Sequence, residues 1–246
     1  MTAHHVDHGI RPDSAADVAV AADVTTVLDV PLVVHRVSVP PGPNLEARAR
    51  AARVGALPTD AMTGHTADDQ AETVLLRLLR GAGAEGLGAM RPGRRHPILR
   101  LRRAETLALC TASGLATSHD PSNHDPRFTR NRVRHEVLPL LHDVARRDVV
   151  PLLVRTADLL HDDDSLLDEL AGALDPTDAV GLAAAPVPLA RRALRRWLTI
   201  GGYPPDAAAI ERVLAVARGE HTACELDGGR RVERSRQRLR VVDPGR

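Results

Sequence analysis

The chain has 246 residues, room for one large domain or two modest ones, and an apolar content ordinary for a globular protein. Its 33 basic residues, all arginine, offset 32 acidic ones, which excludes a whole-molecule field as the means of attracting nucleic acid and leaves that task to local clusters. Cys110 and Cys224 lie far apart with no C-x-x-C, which excludes a metal knuckle or disulfide scaffold, and without a signal peptide or spanning apolar run a cytoplasmic protein with no membrane partner is expected.

Along the chain, short apolar runs alternate with helical patterns through about residue 143. The runs are HHVDH at 4–8, PLVVHRVSV at 31–39, DAMTGH at 60–65, HPILRL at 96–101 and ATSHD at 116–120. Helical patterns fall between them at 13–28, 44–57, 66–80 and 102–114. This alternation predicts an α/β fold, a parallel sheet with helices on both faces, whose site belongs at the carboxyl ends of the strands. His8, Gly64, His65 and Asp120 fall at such strand ends. Asn44 is the expected cap of one helix, and Gly81 the left-handed stop of another. Beyond residue 145 the pattern becomes helical over 150–175 and 188–218, and the tail reads as a strand pair. Two domains follow, 1–145 and 146–246, the second small and mainly helical.

The stretch AHHVDHG at 3–9 approaches the H-x-H-x-D-H signature of a binuclear metallohydrolase, but Ala3 stands where the first ligand belongs. Local hydrogen bonding of strand-end histidines explains it better. In GHTADDQAETVLLRLLRGAG, residues 64–83, His65, Asp69 and Glu72 are four and then three apart, which brings them within about 60° of one another on one helical face. Thr66 and Asp69 also fit a capping box, a purely local use. A capping box needs neither His65 nor Glu72. An imidazole with two carboxylates suits a divalent cation, or an ammonium group that must lose a proton.

In DPSNHDPRFTRNRVRHEVLPLL, residues 120–141, Arg130, Arg132 and Arg134 stand near a helix start, where they oppose the helix dipole. Recognition of phosphate or carboxylate accounts for them. Further basic runs lie at 91–103, 191–197 and 230–240, each able to contact an RNA backbone and each also an ordinary solvated face. Phe128, Trp197 and Tyr203 are the only aromatic residues of those three types. Trp197 is expected in a core, so recognition of bases would run through arginine and shape.

VDHGIRPDS, NLEARARAAR, GHTADDQAETVLLRLLRGAGAEGLGAM and DPSNHDPRFTRNRVRHEVLPLL, in this order over roughly residues 4–143, resemble the tRNA(Ile)-lysidine synthetases, a group of N-type ATP pyrophosphatases. The resemblance implies an adenine nucleotide alpha hydrolase-like fold and ligation of free lysine to the wobble cytidine of a CAU-anticodon tRNA(Ile), with ATP and Mg2+. It implies that His65, Asp69 and Glu72 hold lysine, or that Asp69 and Glu72 hold magnesium with the phosphates. Arg50 and Arg53 become candidates for the substrate or phosphate side, and His8 for the ATP side. Asn131, Arg132 and Arg134 match the family's Arg-Asn-x-x-Arg segment and would steady the reacting nucleotide or ATP. A homodimer is left open.

The chain departs from that family in one respect: no Ser-Gly-Gly-x-Asp-Ser phosphate loop occurs among its residues. An N-terminally truncated α/β domain without its first strand is therefore expected, with open ladder edges, poor solubility and no ligase activity in these residues alone. A thiolation-type ATP pyrophosphatase is a rival that would call on paired cysteines. A noncatalytic tRNA-binding fragment is another.

Overall fold

The computed structural model describes residues 1–7, 14–38, 42, 45–118 and 121–243. His8, Asn44 and Asp120 lie outside them. By their contacts the residues form two units, Met1–Leu160 and His161–Arg246, each taken here by itself. Among the described residues no helix is long and apolar enough to cross a membrane.

In the first unit, strand β1 (Ala3–Asp7) pairs in parallel with β2 (Leu32–Arg36), in a register that sets Ala3 opposite Leu32 and Asp7 opposite Arg36. Helix α1 (Ser14–Val27) connects them and packs on both, as parallel neighbours require of their crossover. This is the expected α/β arrangement, with a sheet of two strands among the described residues. Both strands are edges, and Val33 and Val34 of β2 remain 41% and 36% exposed.

The runs 60–65 and 96–101 do not become strands, nor do the described residues 116–118. A strand exists only through a ladder. Here the Thr63 N–H donates instead to the Arg95 carbonyl at 2.8 Å, and 96–101 closes in turns through Leu99 N–H to His96 O and Leu101 N–H to Ile98 O.

Helix α2 (Leu45–Ala56) precedes α3 (Ala67–Leu79), on which the unit's core is built. Ala67, Ala71 and Leu75 of α3 pack against Val133, Leu138, Val149 and Val150. Gly81 takes φ +74°, while Gly81 N–H and Ala82 N–H donate to Leu78 O and Arg77 O, closing α3 as expected. The buried Gln70 donates to Gly88 O and Met90 O and accepts from Met90 N–H. That fastens the segment after α4 (Ala84–Leu87) onto α3. Then come α5 (Arg103–Ala112), α6 (Thr129–Arg132), a π-helical turn Val133–Val137, and α7 (Leu138–Ala145). The division between units falls within α8 (Val150–Gly172).

The second unit has its own core. Helix α10 (Val187–Leu198) turns Ala190, Ala193, Leu194 and Leu198 inward, with Trp197 partly buried beside them. This is the i, i+3, i+4, i+8 stripe of an amphipathic helix, so Trp197 is a core residue as expected. Arg192, on the opposite face, pairs with Asp164 at 2.5 Å and Asp168 at 2.8 Å. Helix α9 (Ala179–Ala184), capped by the Asp178 carboxylate, forms between the two regions expected to be helical. The helical region 188–218 is broken at residues 199–206 before α11 (Ala207–Arg218). The tail makes three antiparallel strands rather than two, β3 (Ala223–Glu225), β4 (Arg231–Ser235) and β5 (Arg238–Val242). Val232 and Leu239 point into the core.

Candidate active site

The start of α3 joins two jobs that the sequence reading set against each other. Asp69 Oδ2 accepts from the Thr66 N–H and the Thr66 hydroxyl, both at 2.8 Å, which is the local cap. Its Oδ1 accepts from Arg130 at 2.9 Å and Arg103 at 3.1 Å. One turn on, Glu72 is wholly buried. Arg134 donates to it through Nε at 2.7 Å and Nη2 at 3.1 Å, Arg130 through Nε at 2.7 Å, and Arg103 through Nη2 at 3.2 Å. Burial works to raise the pKa of Asp69, but the hydrogen bonds from Thr66 and the charges of Arg103 and Arg130 outweigh it and hold the carboxyl below its ordinary range.

Arg102 extends the cluster. Its Nε and Nη2 grip Asp68 at 3.0–3.3 Å, and its Nη1 donates to Asp148. The Arg103 N–H also donates to Asp68, at 2.7 Å. Asp68 is thereby held below the ordinary carboxylate range despite partial burial.

His65 borders this cluster and is uncharged. Burial is the main cause that lowers its pKa to about 4; nearby Asp69 opposes the shift, and the charges of His96, Arg130 and Arg53 add to it. The Thr63 hydroxyl lies 2.7 Å from Nδ1 of His65 and 2.7 Å from Nδ1 of His96, and the two rings meet edge-on at 5.2 Å. A single hydroxyl proton serves one acceptor at a time, so when Thr63 donates to one ring the other ring's Nδ1 must carry the proton of its own contact.

The expected residues do not all meet here. Asp69, Glu72 and Arg134 do, with Arg130. Arg53, on the exposed side of α2, reaches His65 through its charge. Arg50 lies on the same helix, its side chain outside the described set. Arg132 turns away and pairs with Glu136 at 2.8–3.1 Å. Asn131 donates to the Asp125 carbonyl at 2.9 Å, which ties down the loop before α6. Sequence reasoning missed Arg102 and Arg103. The signal existed: they begin a helix against its dipole, the same argument that singled out Arg130 and Arg134.

With Arg102, Asp68 and Asp148 included, this cluster balances four guanidiniums against four carboxylates, and the forks of Arg103, Arg130 and Arg134 are its groups able to grip an anion. It does not fit the magnesium role expected of Asp69 and Glu72. All four carboxylate oxygens already accept from arginine or Thr66, and a guanidinium excludes a cation from the lone pair it occupies. Among the described residues no group of three His, Cys, Asp or Glu side chains is arranged to hold a metal ion.

Residues 1–141 match the family model described as a PP-loop domain, and residues 178–240 match the one described as a TilS substrate binding domain. The tRNA(Ile)-lysidine synthase of Nocardia farcinica is 42% identical, over 96% of this chain and 81% of that protein. That of Salinispora tropica is 43% identical, over 98% and 81%. That of Mycolicibacterium paratuberculosis is 44% identical, over 82% and 68%.

Proposed function

This chain belongs to the tRNA(Ile)-lysidine synthase family of ligases, and on that premise we propose that its ATP-binding α/β unit serves the joining of free lysine to C2 of the wobble cytidine in CAU-anticodon tRNA(Ile). The chemistry takes two steps. First the C2 oxygen of the base attacks the α-phosphate of ATP, forming an O–P bond as the bond to pyrophosphate breaks. Then the uncharged amine of lysine attacks C2. A C–N bond forms, the C–O bond to AMP breaks with AMP keeping the electron pair, and the amine loses a proton.

The observation that carries this reading is the convergence of Arg103, Arg130 and Arg134 on Asp69 and Glu72, beside the uncharged His65. In the proposal the guanidiniums face the phosphate charge that develops and departs. Asp69 and Glu72 keep them in place, and His65 supplies the lone pair that takes the proton from the amine. By the family resemblance, Arg50 and Arg53 are assigned to the substrate or phosphate side and His8 to the ATP side. A magnesium ion brought in with ATP would supply charge neutralisation, and Asp69 and Glu72, whose oxygens are taken by arginine and Thr66, would not hold it.

No Ser-Gly-Gly-x-Asp-Ser occurs among the 246 residues, so the proposal includes that they do not complete the reaction unaided. The test is lysidine formation from ATP, lysine and tRNA, scored by mass spectrometry of the digested RNA. It compares the 246-residue chain with the same chain fused to a segment that supplies Ser-Gly-Gly-x-Asp-Ser. Lysidine from the fusion alone is the expected result. Product from the unfused chain would overturn the inactivity, and a folded fusion that binds tRNA without lysine-dependent pyrophosphate release would favour a noncatalytic binding role. Sulfur transfer is disfavoured because burial pushes the Cys224 thiol up, away from the reactive thiolate. Replacement of Cys110 and Cys224 by serine is expected to leave the fusion active.

A further inference from the structure

The segment that sends Arg130 and Arg134 to Glu72 has a second face. There Arg132, His135 and Glu136, with Asn131, His124 and Pro126, line a cleft of about 300 Å3. The rings of His124 and His135 stack with centroids 4.8 Å apart and planes within 25°, and both residues are exposed. The His135 ring is fixed by a 3.0 Å hydrogen bond between Nε2 and the Asn123 carbonyl. Arg132 and Glu136 answer each other's charge across the rim.

These features select a ligand class. With the ion pair closed on itself, the cleft has no surplus charge for a phosphate. It offers instead the outward face of a stacked imidazole pair, edged by groups that can donate and accept, and its size is at the small end of ligand sites. Unpaired bases are held in this way, by stacking on aromatic rings, histidine included, with hydrogen bonds to the base edge. Two imidazoles thus provide a stacking surface in a chain with almost no phenylalanine, tyrosine or tryptophan.

We propose that this cleft is a second RNA subsite, which takes one unpaired nucleobase of the substrate loop by stacking on His124 and His135. The proposal rests on the RNA-substrate reading above. It is tested by binding of a CAU-anticodon tRNA(Ile) transcript to the 246-residue chain at several salt concentrations, with His124→Ala, His135→Ala and His124→Phe. Roughly ten-fold weaker binding by each alanine variant is expected, with an unchanged salt slope and recovery in His124→Phe. Folding of each variant is checked by circular dichroism; His124→Ala, whose ring sits on the surface, decides if His135→Ala unfolds. Unchanged affinity in the alanine variants would overturn the subsite and leave the RNA reading intact, as would a loss that phenylalanine does not restore or that changes the salt slope. No binding by the unaltered chain would overturn both.

Discussion

Glu72 is fully buried, and taking a carboxylate out of water without partners carries a large desolvation cost. The hydrogen bonds from Arg103, Arg130 and Arg134 offset that cost, and the three arginines in turn depend on Glu72. Glu72→Ala strands three guanidiniums around Asp69 alone and is expected to cost about 3–5 kcal/mol, read as a lower urea midpoint. A loss under about 1 kcal/mol would mean that the arginines swing out to water and the cluster is no more than a surface pair. Burial disfavours the charged form of His65. Its folded pKa is about 4 against 6.5 for the free side chain, so between those values the unfolded chain binds a proton that the folded chain refuses. The contribution of His65 to stability is therefore complete above pH 6.5 and declines as pH falls toward 4. Asp69, with a depressed pKa, loses its share only at lower pH. An NMR titration of the His65 ring is expected to show a midpoint near 4; one near 6.5 would mean that burial does not act on it. Asp69 and Glu72, three apart on α3, were legible from helical spacing, whereas His65 precedes the extended N-cap Thr66, so that spacing does not place it. Arg132 was overcounted for the same geometric reason: two residues from Arg130 and from Arg134, it stands about 200° from each on a helix.

Helix α3 was legible at both ends because each end is a local device, the Thr66–Asp69 cap and the left-handed Gly81. Ladders are not local. Whether residues 60–65 form a strand depends on a neighbour that the run itself does not specify, so an apolar pattern there could not decide it. The π-helical turn Val133–Val137 was equally hidden, since nothing in VRHEV distinguishes it from an α-turn, yet it lies in the segment that divides Arg134 from the cleft residues. Two glycines test the local devices separately. A Cβ on Gly81 meets nothing within 4 Å, so Gly81→Ala is expected to carry only the left-handed penalty, about 1–2 kcal/mol. Gly219 ends α11 at φ +83°, and its Cβ would collide with the Arg234 guanidinium. Because that group is the far end of a flexible side chain, Gly219→Ala should lose about as much stability as Gly81→Ala in urea unfolding, and a clearly larger loss would show that Arg234 is held in place.

At the scale of the whole molecule, a net charge of +1 means that attraction for RNA must come from local faces, and the strand tail carries one. With Val232 and Leu239 turned inward, alternation places Arg231, Glu233, Arg238 and Arg240 outward on β4 and β5. Arg231 is shared between Glu225 and Glu233, and Arg238 is closed on Asp175 at 2.9 Å, so the charge this face can offer rests on Arg240. Arg240 is 73% exposed and only loosely tied to Glu233, at 3.5 Å. Arg192, by contrast, is spent inside its unit, closed on Asp164 and Asp168. Both belong to the basic runs that the sequence left undecided between RNA contact and solvated face, because run composition does not say which arginines already have an internal partner. If the tail contacts tRNA phosphates, Arg240→Ala should weaken binding and flatten the slope of log affinity against log salt by about one unit, with little change in stability. Arg192→Ala should do the reverse, lowering the urea midpoint and leaving the slope in place. An unchanged slope in Arg240→Ala would return the tail to a solvated face and transfer the RNA contacts to the α/β unit.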